Sequence, residues 1–190
     1  MDGETMNEII VMLSGGSLIS DGRANEAADR VLANPHLFDQ LVEGLSESDT
    51  VIRARTAHAL ERISRTHPET VKELLPKFIE MATHDPVPMV KWHIAMIFGN
   101  LPLPMDSVEE VIQVLFRMIE DPSVFVKSWA LVSPTILGRQ HKSMRKVIAD
   151  YIRPLLNDHS VAIRSKAIKA VKILENDAEP IPAGWVKAQR

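Results

Sequence analysis

The sequence contains no cysteine, and this absence removes several kinds of site at once. The chain has no disulfide framework, no thiolate nucleophile and no cysteine-ligated zinc. A fold of 190 residues must therefore be held by packing, which suffices for one domain of this length. A cysteine-free composition also fits a reducing compartment, so we expect a cytoplasmic protein.

Long apolar runs and a basic excess are also missing. The apolar run at residues 9–13 is too short for a signal core or a membrane span, and acidic residues precede it. We therefore expect no membrane association. A net charge of -3 and a pI near 6.2 argue against a surface that is basic throughout. This net charge allows a basic patch on only part of the surface.

Strand-like alternation is absent as well, whereas helical periodicity is plentiful. Apolar residues recur every three or four positions, as in residues 37–45 and 108–119, which is the period of a helix with one buried stripe. Asn34-Pro35, Asp85-Pro86 and Asp121-Pro122 place a capping side chain before a proline that has no N–H to lose at a first helical position. The fold class is therefore predicted to be all-α.

The helices and turns repeat along the chain. Four turns begin at an aspartate, namely Asp49, Asp85, Asp121 and Asp158. Each turn precedes a helix with a small residue at the same place: Ala57, Ala95, Ala130 and Ala167. These alanines are spaced by 38, 35 and 37 residues, which is the length of a two-helix repeat.

The repeat predicts four helical hairpins, spanning residues 35–66, 67–103, 104–141 and 142–175. First helices are expected near 35–46, 68–83, 106–120 and 143–157, and second helices near 50–66, 87–100, 122–138 and 160–175. Residues 1–34 are predicted to form an N-terminal capping helix pair. The tail, 176–190, is expected to fold back over the last repeat through Trp185; the alternative is that Trp185 binds a partner.

Residues 35–175 resemble the HEAT-repeat family. The resemblance rests on the Asp/Pro turn, on the Val before a basic residue in each second helix, and on the small alanine, as in residues 161–167; the basic residues are Arg53, Lys91, Lys127 and Arg164. It implies a right-handed α-α superhelix, an armadillo-like solenoid of about four hairpins plus the cap. Pro76 and Pro154 also fit the family, whereas Pro134 departs from it and is expected to kink or shorten its helix.

No constellation of residues predicts chemistry. None of the seven histidines has ligand spacing, and His58 and His93 lie on different predicted helices. HEAT-like iron enzymes use His-Glu pairs, but no histidine here is followed by Glu. Alkylpurine DNA glycosylases use tryptophans with a carboxylate, and the residues one turn after Trp92 and Trp129 are not acidic. We expect no catalytic residue, metal or cofactor, and therefore no enzyme.

Charge separates the two sets of predicted helices. The second helices with their following turns carry twelve basic and two acidic residues, whereas the first helices with their turns carry six basic and fifteen acidic. Because second helices line the concave side of a HEAT solenoid, the split predicts a basic groove inside an acidic shell. The alternative is that both faces are merely solvated.

Helical geometry selects the residues that lie opposite the repeat alanines. The predicted partner-binding residues are Arg55, Arg62, His93, Ile97, Asn100, Ser128, Val132, Thr135, Ser165, Lys169 and Lys172. Their basic ends flank a middle with two aliphatic residues, which suits an acidic or amphipathic peptide better than a phosphate backbone. The sequence thus predicts a non-enzymatic protein-interaction scaffold. The alternatives are a nucleic-acid-binding protein and a subunit acting on another protein, as in HEAT-like chromophore lyases.

Overall fold

A computed structural model describes residues 7–188, and within this range the chain forms eleven α-helices and no strand. The outermost parts of the expected cap and tail, residues 1–6 and 189–190, lie outside the described residues. The helices are α1 (Glu8–Leu13), α2 (Ala24–Ala33), α3 (Phe38–Glu43), α4 (Thr50–Ser64), α5 (Pro68–Lys72), α6 (Leu75–His84), α7 (Pro88–Asn100), α8 (Met105–Met118), α9 (Val124–Gln140), α10 (Arg145–Ile152) and α11 (Val161–Glu175).

The helices form two layers of a solenoid. The second helices pack side by side in the order α2, α4, α7, α9 and α11, and the first helices pack against them. The four repeat alanines are fully buried, which confirms the helical phase assigned to them. Since each helix buries its apolar face mainly against its neighbours, one continuous core runs through all the repeats.

Prolines explain where the helices differ from the sequence prediction. The single helix expected at 68–83 is two helices, because Pro76 has no N–H to continue the ladder and stands in the first turn of α6. Pro154 similarly replaces the end of α10 with a 3₁₀ turn, Arg153–Asn157. The expected shortening by Pro134 is wrong, since α9 has 17 residues with Pro134 inside it.

Successive repeats are joined by a ladder of aspartates. Asp85, Asp121 and Asp158 each accept a hydrogen bond of 2.8 Å from the backbone N–H two residues later. The other carboxylate oxygen of each binds a basic side chain of the preceding repeat, at 2.8 Å from Arg53, 2.8 Å from Lys91 and 3.2 Å from Lys127. The turn aspartates therefore fix both the start of a second helix and the spacing between repeats.

Membrane-spanning length is not reached anywhere in the described part of the chain: no helix between residues 7 and 188 combines the length and the apolar character that crossing a bilayer requires.

Candidate protein-binding surface

The eleven predicted partner-binding residues divide by exposure. Arg62, Ser165, Lys169 and Lys172 reach the surface. The others are buried, namely Arg55, His93, Ile97, Asn100, Ser128, Val132 and Thr135. Ile97 and Val132, the two aliphatic residues in the middle of this set, are therefore part of the core and not of an open partner-binding surface. Helix α7 is enclosed between α4 and α9, and the tail lies beside its C-terminal end.

Several of the buried polar residues hold the second-helix layer together. Asn100 donates to the Ser64 hydroxyl at 2.8 Å and to the Glu61 carboxylate at 3.2 Å. Glu61 is fully buried, and Arg65 binds it at 2.5 Å. These contacts join α4 to α7 and leave Asn100 unavailable to a partner.

Arg55 binds the chain itself. Its guanidinium Nη1 donates to the carbonyls of Leu13 at 2.8 Å and Gly15 at 2.6 Å, and the same guanidinium reaches the carbonyls of Ser14, Ser17 and Ser20. These carbonyls belong to the end of α1 and to residues 14–23, which we call the N-terminal loop. Arg55 therefore organises this loop over the start of α4 rather than lining an open groove.

Two glycines allow the N-terminal loop to approach Arg55 so closely. Gly16 and Gly22 have φ of +76° and +52°, in the left-handed region that favours glycine. A Cβ at Gly22 would lie 2.5 Å from the Arg55 guanidinium carbon. The sequence alone does not indicate this approach, because Arg55 lies more than 30 residues from either glycine.

The N-terminal loop presents apolar side chains beside those of α7 and α9. Leu18 and Ile19 line a cleft of about 290 Å³ together with Trp92. The Trp92 ring lies 5.1 Å from that of Phe125, at the start of α9. Ile19 is 98% exposed and Phe125 is 65% exposed. We call these four residues, Leu18, Ile19, Trp92 and Phe125, the apolar patch.

Two stacked histidines form the floor beneath the apolar patch. The rings of His58 and His93 are parallel within 14°, with centroids 4.6 Å apart. Burial, together with the neighbouring His58, lowers the pKa of His93 to about 3. Burial also lowers the pKa of His58. The floor is therefore uncharged near neutral pH, and the patch above it is apolar rather than cationic.

The predicted basic groove is largely neutralised by contacts within the chain. Nine of the twelve basic residues counted on the second helices and their turns bind carboxylates or backbone carbonyls. Among the described residues, the three without such a partner all lie on α11: Lys166, Lys169 and Lys172. Because they are spaced by three residues, they share one helical face. We call them the lysine row.

The tail, described to residue 188, lies across the second helices. Ile181, Val186 and Ala188 line a cleft with Gly99 of α7 and Ile136 of α9. Trp185 is buried and belongs to the continuous core, so the expected fold-back occurs. It extends from the last repeat as far as α7. Across residues 7–188, no three His, Cys, Asp or Glu side chains lie close enough together to hold a metal ion.

Comparison with known proteins identifies the architecture. No protein-family model and no curated relative matches the sequence. A chain from the complex of CpcE and CpcF of phycocyanin lyase from Nostoc sp. PCC7120 has 19% identity and a TM-score of 0.69, covering 86% of this chain and 95% of that one. A designed armadillo repeat protein in complex with the peptide (KR)4 has 13% identity and a TM-score of 0.64, covering 88% and 81% respectively. These likenesses show a HEAT- and armadillo-like helical repeat solenoid.

Proposed function

We propose that this solenoid is a non-enzymatic, cytoplasmic protein-binding scaffold, and that the apolar patch and the lysine row together bind one acidic amphipathic segment of another protein. The observation that carries the proposal is Ile19, which is 98% exposed although Arg55 fixes its loop through four carbonyls of the loop and that of Leu13 at the end of α1. An apolar side chain presented so openly by an anchored loop is typical of an interface.

The composition of the apolar patch supports this proposal. Contiguous exposed apolar surface marks interaction sites, and tryptophan is enriched among the residues that carry binding energy. Trp92 is half-buried and packs against the core, so little side-chain freedom is left to lose on binding. Phe125 lies beside it at the exposed start of α9. The patch is therefore preorganised to receive apolar side chains.

The positive charge of the lysine row supports an acidic partner. The lysine row lies on α11, the helix that packs next to α9 in the second-helix layer. An amphipathic segment crossing these helices would place apolar residues on the patch and carboxylates near the lysines. Such complementarity raises the association rate and orients the partner, and salt screens it.

Affinity capture from the source cell with matched variants tests the proposal. Ile19→Asp and Phe125→Asp should each abolish capture of the partner while leaving the helical content unchanged, because both side chains are exposed. Val147→Asp is the control, since Val147 is 49% exposed but lies on the first helix α10. If the partner survives the two patch variants and is lost on reversing the charges of Glu109 and Glu110 on α8, it binds the first-helix face and the proposal fails.

The lysine row has its own test. Changing Lys166, Lys169 and Lys172 together to Glu should weaken the captured complex and flatten its dependence on salt. Retention of the wild-type chain on duplex DNA, lost steeply as salt rises, would instead support nucleic-acid binding. That result, without a protein partner, would overturn the proposal.

A second candidate function is a subunit of a lyase that acts on another protein. It is favoured by the likeness to a chain of the CpcE and CpcF complex, which extends over 95% of that chain. A lyase subunit of this kind would be captured together with a second subunit and would support a lyase reaction on a protein substrate. Mass spectrometry of the captured material, followed by an assay of the purified complex for that reaction, separates the two candidates, because a scaffold and its partner would show no such activity.

A further inference from the structure

The tail fills a binding position on the second helices by contacts that are mostly directed at its backbone. Arg139, near the end of α9, donates to the carbonyls of Asp177 at 2.9 Å and Glu179 at 3.0 Å, and more weakly to those of Ile173 and Asn176. Such contacts recognise the backbone of an extended segment and do not depend on its side chains. Arg139 thus binds several backbone carbonyls of the tail, as Arg55 binds those of the N-terminal loop.

Side-chain contacts supply the rest of the attachment. The Asp177 carboxylate binds Arg145 at 2.6 Å and Lys142 at 3.3 Å, and these bonds lower its pKa. Further along, Trp185 is buried, and the Lys187 ammonium lies 5.9 Å from the centre of the Trp129 ring. The tail therefore has three kinds of anchor: a carboxylate, a buried tryptophan and a cation over an aromatic ring.

The tail nevertheless forms no series of backbone-to-backbone hydrogen bonds with the solenoid. Asn176 donates its N–H to the Lys172 carbonyl at the end of α11, and beyond it the described backbone N–H bonds, from Ala178, Glu179 and Trp185, all end within the tail. Pro180 and Pro182 have no N–H to donate. A cleft of about 260 Å³ remains beside Val186, which is 40% exposed. A segment held in this way can detach without breaking the hydrogen bonds of any helix.

We infer that this position is a second peptide-binding site, distinct from the apolar patch, and that the tail is an intramolecular ligand that occupies it until a competing segment of another protein displaces the tail. The site consists of Gly99, Trp129, Ile136 and Arg139, with Lys142 and Arg145 beside it. The ligand class is an extended, proline-containing segment with an acidic residue before a buried tryptophan. The inference does not depend on the proposed function of the patch.

A labelled peptide with the sequence of residues 176–188 tests this inference on the full-length chain. The wild-type chain should bind it at least about tenfold more weakly than Trp185→Ala, because the attached tail competes at an effective concentration in the millimolar range. The double variant with Arg139→Gln and Trp185→Ala should bind the peptide no more tightly than the wild type does. A peptide that carries Ala in place of Trp185 is the matched control and should not bind. Fluorescence anisotropy measures all four combinations.

Several results would overturn the inference. Failure of the labelled peptide to bind a folded Trp185→Ala chain would make the tail a permanent part of the fold. A concentration-dependent dimer of the wild-type chain would assign the site to the tail of a second copy. Should Trp185→Ala not fold, hydrogen exchange on the wild type decides: the Trp185 amide should exchange at least about 100-fold faster than the core amides of α9, and equal protection would contradict the inference.

Discussion

At the scale of single residues, the most informative side chain is His93, because it is buried without charge. Its folded-state pKa of about 3 lies well below its unfolded value near 6.5. The unfolded chain therefore takes up a proton first as the pH falls, and stability is lost from about pH 6.5 downward. Burial is the largest cause of this lowered pKa, and the nearby His58 and Arg65 contribute to it.

This linkage gives a prediction for pH 6.5 to 4.5. His93 alone should lower the free energy of unfolding by up to about 1.4 kcal/mol per pH unit. Urea unfolding of His93→Gln should show a slope against pH that is smaller by this amount. Because the pKa of Asp158 is lowered, its contribution to the pH dependence of the free energy of unfolding lies at more acidic pH than this range. Equal slopes for the wild type and His93→Gln would show that His93 does not titrate as its burial requires.

The repeat alanines give a second residue-scale prediction. Ala95 is fully buried between helices, so Ala95→Leu should destabilise the chain by about 1–3 kcal/mol through overpacking. Arg62, a surface residue paired with Asp29, should accept Ala with a loss of less than about 1 kcal/mol. Thermal unfolding compares the two, and equal shifts would contradict the assigned helical phase.

At the scale of elements, the aspartate ladder should couple neighbouring repeats. Asp121→Ala removes a turn hydrogen bond and leaves Lys91 without its partner, so it should cost about 2–4 kcal/mol. Asp49→Ala is the matched control. Asp49 caps α4 through the Val51 N–H and has no cationic partner among residues 7–188, so its loss should cost about 1 kcal/mol. If both variants unfold at the same urea concentration, the ion pairs do not join the repeats.

The elements also show what sequence reasoning can reach. The turn aspartates and repeat alanines act within one helix or between adjacent repeats, so their periodic spacing predicts the layer order. Pro76 breaks its helix for a local reason that the sequence contains, although we expected one helix there. The placement of the N-terminal loop and of the tail over the second helices could not be predicted in this way. Arg55 and Arg139 bind carbonyls 34–42 residues away, and no periodic pattern in the sequence indicates those contacts.

At the scale of the whole molecule, the charge split predicted from the sequence is present but does not form a broad basic groove. Most of the basic residues on the second helices neutralise the turn aspartates, bind backbone carbonyls or pair with other acids of the chain. What remains is an apolar patch at one place and a lysine row on the last helix. Binding is therefore expected to rest on apolar contact, with charge orienting the partner.

Hydrogen exchange of the chain, measured with and without its captured partner, tests this account most directly. We predict that binding slows exchange in the N-terminal loop and at the first turns of α7 and α9, around Ile19, Trp92 and Phe125, with a smaller effect along α11. The first helices, including α8 with Glu109 and Glu110, should be unchanged. Protection confined to α8 and α10, with the N-terminal loop exchanging as fast as in the free chain, would contradict the account.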